Sequence, residues 1–173
     1  MSTTALRLAA STTNQAFLGH HVVEPKSKLI AQRSFSSTQP ISDAAATIPT
    51  ISDSDVTGLF HLWNDALATL DPEAVVARYA KKSILLPTVS NIPRTDYDGI
   101  KSYFVDFLQK KPQGVILESN VIQGQDYVMD AGIYEFTFGA TGDKVKARYT
   151  YVYTFEDGEW KIAHHHSSVM PEG

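Results

Sequence analysis

From Gly114 onward the sequence changes to a period of two over four consecutive strand-like runs. Alternating apolar and polar side chains are typical of strands that bury one face. The last turn contains Asp157-Gly158, a strong signal for a tight hairpin. The second half of the chain is therefore expected to form an antiparallel meander, with predicted strands at residues 115–122, 126–138, 144–155 and 159–169.

Helical periodicity fills the region before these strands. Apolar residues between positions 56 and 70 recur at the three- and four-residue spacings of one helix face, and Ser52 or Asp53 can cap the first turn. A second, shorter helix is predicted from Pro72, with Tyr79 on its inner face.

A short strand, a loop and a third helix complete the predicted elements. The strand covers residues 83–87, the loop lies between two prolines at 87–94, and the helix carries its apolar face over 100–108. Helices first and strands afterwards indicate an α+β domain, in which a curled antiparallel sheet wraps round the long first helix. A curled sheet against a helix leaves a cone, and its open end is predicted to form a pocket.

The 173 residues suffice for one domain, and composition divides them into two parts. Residues 1–51 are rich in Ser, Thr and Ala and carry four basic residues against one acid before Asp43. We expect this segment to be disordered, and its composition suits either a plastid or mitochondrial transit peptide or a flexible bacterial tail. Residues 52–173 are predicted to form the folded domain.

Several classes of function are disfavoured by composition. The net charge of −4 provides no basic surplus for nucleic acid, and the absence of cysteine excludes disulfides and thiolate catalysis. No apolar run approaches the roughly 18 residues that a membrane span needs. We expect a soluble intracellular protein, in a plastid or in the bacterial cytoplasm, that binds neither nucleic acid nor membrane.

Three histidines and two serines in succession, residues 164–168, form the most unusual polar run. Because side chains alternate along a strand, His165 and Ser167 share one face. His164, His166 and Ser168 share the other. Buried polar groups need hydrogen-bond partners, so an inward His165 and Ser167 indicate a lined cavity rather than plain core. Tyr134 and Tyr151 are predicted to face the same space.

A metal site is an alternative interpretation of this run. His164 and His166 could give zinc or manganese two ligands from one face, fewer than the three or four that zinc needs. His165 points the other way and cannot converge with them on one ion. We therefore predict no metal and no cofactor.

The order of elements, with Phe-His-Leu-Trp-Asn at 60–64 and Asp-Gly-Glu-Trp-Lys-Ile at 157–162, resembles the cone-shaped NTF2-like superfamily. Within it, residues 54–172 are similar to the association (hub) domain of calcium/calmodulin-dependent kinase II. A narrower resemblance is to the iota-class carbonic anhydrases. It rests on Leu-Leu-Pro-Thr at 85–88, Tyr-Glu-Phe at 134–136, Arg-Tyr-Thr-Tyr-Val-Tyr at 148–153 and His-His-His-Ser-Ser-Val-Met-Pro-Glu at 164–172.

The narrower resemblance implies reversible hydration of carbon dioxide to bicarbonate. Some members of that family work without a metal and hold bicarbonate with threonine, tyrosine and serine hydroxyls, which here would be Thr88, Tyr103 and Ser167. His165 is the candidate proton acceptor, because free imidazole titrates near pH 6.5. The expected catalytic residues are Thr88, Tyr103, Ser167 and His165, and the expected substrate-binding residues are Thr88, Tyr103, Tyr134, Tyr151 and Ser167.

The alternative function is a non-enzymatic, self-associating hub that binds a small acid. The sequence favours the enzyme, because the kinase hub carries a histidine and arginines where this chain has Tyr103, Tyr134, Tyr151 and Ser167. With either function we predict a homo-oligomer, most simply a dimer through the sheets. The outward residues that predict it are β-branched rather than charged, namely Ile133, Thr150, Val152 and Thr154.

Overall fold

The computed structural model describes residues 48–171, which form helices packed against a five-stranded sheet and confirm the α+β class. The helices are α1 (Asp53–Ala68), α2 (Pro72–Val76) and α3 (Tyr97–Phe107), with a 3-10 turn at Leu108–Lys110. The strands are β1 (Tyr79–Leu86), β2 (Pro112–Gln123), β3 (Tyr127–Phe138), β4 (Lys144–Glu156) and β5 (Glu159–Val169).

The strand order in the sheet is β1-β5-β4-β3-β2. Strands β2 to β5 form the predicted antiparallel meander, but β1 pairs parallel to β5, with Leu85 opposite His165 and Leu86 opposite His166. The sheet is therefore mixed, and the prediction of a wholly antiparallel sheet is wrong at this edge. The long connection through α3 and the meander allows the parallel arrangement, since parallel neighbours cannot be joined by a hairpin.

Local geometry explains the tight turn and the curl of the sheet. Asp157 and Gly158 have φ values of 53° and 84°, the positive values that a type I′ hairpin turn requires, so the predicted turn is confirmed. Between β2 and β3 the register shifts after Ile116, and a Cβ on Gly132 would lie only 1.9 Å from the carbonyl oxygen of Glu118. Irregularities of this kind bend a sheet and increase its twist.

Two predictions near the helices need correction. Helix α1 is capped by Ser52, whose Oγ accepts a hydrogen bond from the Asp55 amide at 3.2 Å, but the helix ends at Ala68. Leu70 lies beyond it with a φ of 58° and is 46% exposed.

Tyr79 is not helical, because α2 is only five residues long and the Ile162 amide donates to the carbonyl of residue 78. The first strand therefore starts earlier than predicted, at Tyr79.

The core lies between α1 and the inner face of the sheet. Trp63 of α1 is 1% exposed and packs edge-on against the rings of Phe136 and Tyr151, at centroid distances of 6.2 and 5.8 Å. Burying one large apolar side chain contributes about 1.5–3 kcal/mol to folding, so this aromatic layer is a main source of stability. Tyr134 of β3 and Tyr151 of β4 are both buried on this inner face, as predicted.

Disorder was predicted for residues 1–51, and residues 1–47 of this segment lie outside the described residues. Ile51 packs against the core, and its carbonyl oxygen accepts a hydrogen bond from Gln123 Nε2 at 2.9 Å. Ile51 therefore belongs to the folded part. No helix within residues 48–171 is both long enough and apolar enough to cross a membrane.

Candidate functional site

A cavity of about 840 Å³ opens between α3, the loop after β1 and the inner face of the sheet. This volume lies within the roughly 300–1,000 Å³ that is usual for small-molecule sites. Its wall is largely aromatic, and charged side chains stand at its mouth. The aromatic wall contains Trp63, Phe104, Phe107, Phe136 and Phe138, and the mouth contains Lys110, Glu135, Lys144 and Lys146.

Three hydroxyl groups meet at this cavity, and we call Thr88, Tyr134 and Ser167 the hydroxyl cluster. Tyr134 donates to Ser167 Oγ at 2.5 Å, and Thr88 Oγ1 lies 2.5 Å from the same oxygen. Three hydroxyls carry three hydrogens, and the two hydrogen bonds use two of them. One hydrogen therefore remains to donate to a ligand, together with unused acceptor positions.

Thr88 meets Ser167 where the chain leaves β1. Backbone pairing between β1 and β5 ends where Leu86 faces His166, and the same register continued would place Pro87, not Thr88, opposite Ser167. Pro87 lacks an amide hydrogen and cannot continue the pairing as a donor. The side-chain hydrogen bond between Thr88 and Ser167 takes over from the backbone at this point.

Tyr103 reaches the cavity from α3, as its position on the apolar helix face predicts. Its ring stacks on Phe107 at a centroid distance of 5.5 Å, and its hydroxyl forms no hydrogen bond within residues 48–171. Burial raises the pKa of Tyr103 to about 12, so the phenol stays protonated at neutral pH. It can therefore act as a neutral donor.

His165 lines the cavity and is 4% exposed. Its Nδ1 lies 2.9 Å from the Tyr79 hydroxyl, and its Nε2 has no hydrogen-bond partner among the described residues. Burial, reinforced by the neighbouring His164 and His166, lowers the pKa of His165 to about 3. The ring is therefore neutral at pH 7 but only weakly basic, and its role as a proton acceptor stays a prediction. It remains able to position a ligand through Nε2.

Tyr151 lies behind His165 instead of on the cavity wall. The two rings stack with centroids 4.2 Å apart, and the Tyr151 hydroxyl is buried without a partner among residues 48–171. Tyr151 is therefore placed to support the His165 ring and does not line the cavity, and its contact with substrate stays a prediction.

Tyr79 is a site residue that the sequence did not reveal. Its hydroxyl reaches His165 across a separation of 86 residues, through the parallel pairing of β1 with β5. No local pattern carries that information.

The alternation of side chains along β5, in contrast, follows from the local sequence. His164, His166 and Ser168 lie on the outer face as predicted, and each is more accessible than His165 and Ser167.

A second polar cluster, Asp130 with Ser119 and Tyr149, is also absent from the sequence predictions. The Asp130 carboxylate is fully buried and accepts hydrogen bonds from Ser119 Oγ at 2.6 Å and from the Tyr149 hydroxyl at 3.0 Å. None of the three residues lines the large cavity.

Within residues 48–171, no three histidine or carboxylate side chains are grouped as a metal site requires.

Helices packed into a curled mixed sheet, with a deep cavity at one end, define a protein of the NTF2-like class. The family pattern of the calcium/calmodulin dependent protein kinase II association domain matches residues 52–171. The chain belongs to this family.

Solved structures agree with this assignment. A protein from Xanthomonas campestris, named for the same association domain, is 45% identical with a TM-score of 0.67, over 74% of this chain and 95% of that one. An NTF2-like protein of unknown function from Pseudomonas putida is 15% identical, with a TM-score of 0.60, over 69% and 87% of the two chains. A protein from Streptomyces avermitilis, named as a dehydratase of the NTF2-like family, is 12% identical with a TM-score of 0.60, over 69% and 96%.

The last two similarities are to the fold alone. The comparison with curated proteins finds no match.

Proposed function

We propose that the protein catalyses the reversible hydration of carbon dioxide to bicarbonate, with hydroxyl groups of the chain holding the substrate. The observation that carries the proposal is the hydroxyl cluster, in which Tyr134 and Thr88 both bond to Ser167 Oγ at the wall of an apolar cavity. The resemblance of the surrounding segments to the iota-class carbonic anhydrases supports the same chemistry.

The cavity offers each substrate a suitable environment. Carbon dioxide needs no hydrogen bond, so an aromatic wall can accommodate it. Bicarbonate carries both donor and acceptor groups, and hydroxyls serve either role without bringing a charge into the site. Burial raises the pKa of Tyr134 above its usual value, so this phenol donates a hydrogen bond without ionising.

The chemical step follows from these groups. A water oxygen bonds to the carbon of carbon dioxide, and negative charge develops on a substrate oxygen. The Tyr103 hydroxyl is available to stabilise that charge, and Ser167 Oγ can accept a hydrogen bond from the attacking water when its own hydrogen is donated to Thr88. His165 stays neutral and holds water or substrate through Nε2. The proton released by the water therefore has to pass to a group outside the cavity.

No resident metal is part of this proposal, because His164 and His166 lie on the face of β5 opposite to His165. Stopped-flow measurement of carbon dioxide hydration, with and without chelator, tests both points. We expect a rate above the uncatalysed reaction that survives the chelator. No acceleration would contradict the proposed activity, whereas loss with chelator and return with zinc or manganese would support the metal alternative.

The size and mouth of the cavity favour a second candidate, a non-enzymatic hub that binds a small acid. About 840 Å³ is far more than bicarbonate fills, and Lys110, Lys144 and Lys146 outnumber Glu135 at the mouth. An anionic ligand with an apolar body would fit both features. Calorimetric binding of such an acid by a protein without hydration activity would favour the hub over the enzyme.

We also propose that the chain forms a homodimer through its sheets. The support is its membership of an association-domain family and the β-branched outer face of β4, where Thr150, Val152 and Thr154 are partly exposed. Light scattering at micromolar concentration should give at least twice the mass of one chain. A monomeric mass under these conditions would contradict the proposal.

A further inference from the structure

The sheet opens beside the hydroxyl cluster. Pairing of β1 with β5 stops at Leu86 and His166, whereas β5 continues to Val169 with only β4 beside it. A groove of about 310 Å³ occupies the gap between residues 166–169 and the loop that follows β1. At about 30 Å³ per water molecule, a groove of this size has room for about ten waters.

This groove and the large cavity share a wall. Both are lined by Pro87, Thr88, Ser167 and Val169, so the Thr88–Ser167 hydrogen bond of 2.5 Å lies between them. The two spaces differ in character, because the cavity is mainly aromatic and the groove contains Ser90, Asn91 and His166. The hydroxyl cluster therefore connects an apolar space suited to carbon dioxide with a polar space suited to water.

We propose that the outer groove is the proton exit of the site and that His166 is the group that takes the proton from it. The inference rests on the proposed hydration activity and adds a positioning and transfer residue to it. Among the described residues that line the groove, His166 carries the one imidazole, the side chain that proteins use as a proton shuttle. His166 is also exposed, so it can pass the proton to buffer.

Other groups are less suited to this task. His165 is almost fully buried and stacked on Tyr151, so it is poorly placed to pass a proton to buffer. Glu135 stands at the cavity mouth, and its carboxylate is engaged by Lys144 Nζ at 3.1 Å. Neither group lines the outer groove.

The proton balance is complete along this route. As the water oxygen bonds to carbon, one C=O electron pair moves to the substrate oxygen, and the water proton passes to the Ser167 hydroxyl. That hydroxyl passes its own proton to Thr88 Oγ1, and Thr88 releases its own proton to a water in the groove, which passes a proton to the His166 imidazole. A buffer base then removes that proton, and the site returns to its starting state with bicarbonate formed.

The test is His166→Ala, with His164→Ala as the matched control on the same strand face outside the groove. In weak buffer we expect kcat for hydration to fall about tenfold in His166→Ala while kcat/KM stays unchanged, since proton release follows the chemical step. Added imidazole should restore kcat. Exchange of oxygen-18 between carbon dioxide and water at equilibrium should keep its hydration rate in both variants.

The outcomes separate this inference from the activity on which it rests. A wild-type protein without hydration activity would overturn both. An active wild type with His166→Ala equal to it in every buffer would overturn the proton exit alone. Loss of kcat/KM together with kcat, without rescue by imidazole, would assign His166 a structural role and would also overturn the inference.

Discussion

Two polar clusters on the same sheet differ in how completely their groups are paired. In the Asp130 cluster a buried carboxylate accepts from Ser119 and from Tyr149, and the Tyr149 hydroxyl also lies 3.2 Å from the carbonyl oxygen of Glu118. Burial, and then the Asp130 carboxylate, raises the pKa of Tyr149 above its usual value. This cluster lies away from the cavity and has its polar groups engaged.

The hydroxyl cluster has the opposite properties. Thr88, Tyr134 and Ser167 carry no charge, line the cavity and retain one hydrogen that no group of the cluster accepts. Nearby, His165 Nε2 is buried without a partner in the described part of the chain. Buried polar groups are nearly always satisfied in proteins, so unused capacity at a cavity wall points to a ligand. Pairing of the polar groups, more than their polarity, therefore separates a binding cluster from a structural one.

Tyr149→Phe should show the largest effect on stability, because it removes a donor from a buried carboxylate. Leaving a buried acceptor without its donor costs about 1–3 kcal/mol, so we expect a loss of about 2 kcal/mol in the free energy of unfolding. Chemical denaturation measures it. Tyr134→Phe is the matched control, since it removes the same atom from the hydroxyl cluster and should cost about 1 kcal/mol or less. Equal losses in the two variants would remove the distinction between the clusters.

Ser167→Ala should show the largest effect on turnover. Loss of one hydrogen bond to the transition state costs about 1.5–3 kcal/mol, which corresponds to about a 10- to 100-fold lower kcat/KM for hydration. Ser168→Ala is the control, because its side chain lies on the opposite face of the same strand and should leave kcat/KM unchanged. If both serine variants lost activity equally, damage to β5 would explain the result better than a binding role for Ser167.

His165 should make the protein sensitive to acid. Its pKa in the folded state is about 3, below the roughly 6.5 of an unfolded chain, so only the unfolded state binds this proton between those values. Stability is retained above pH 6.5 and falls as the pH decreases toward 3. At about 1.4 kcal/mol per pH unit, the loss between pH 6.5 and 5 is about 2 kcal/mol.

Denaturation curves at pH 6.5 and 5 measure this loss, and His165→Gln should reduce it because glutamine does not titrate. His164→Gln provides a comparison, since burial lowers the pKa of His164 as well but the residue is less enclosed. An unchanged pH dependence in His165→Gln would show that other groups cause the acid sensitivity.

The sequence predicts those parts of the site that depend on local rules. Alternation along β5 places His165 and Ser167 inward, and helix periodicity places Tyr103 on the buried face of α3. The contact of Thr88 with Ser167 and that of Tyr79 with His165 depend on the parallel pairing of two distant strands, which no local pattern encodes. The lowered pKa of His165 depends on how deeply the folded chain buries the ring, so it could not be predicted from the sequence either.

Tyr103→Phe is expected to have the smallest effect, and it tests whether an unpaired hydroxyl at the cavity serves the ligand. Because the Tyr103 hydroxyl forms no hydrogen bond within residues 48–171, its removal should leave the free energy of unfolding nearly unchanged. If the hydroxyl stabilises the transition state, kcat/KM should fall about tenfold, which corresponds to about 1.4 kcal/mol. Tyr127→Phe is the control, since that tyrosine is 39% exposed and does not line the cavity. Full activity in Tyr103→Phe would restrict the site to the hydroxyl cluster and His165, because a donor that contacts the reacting oxygens cannot be removed without raising the barrier.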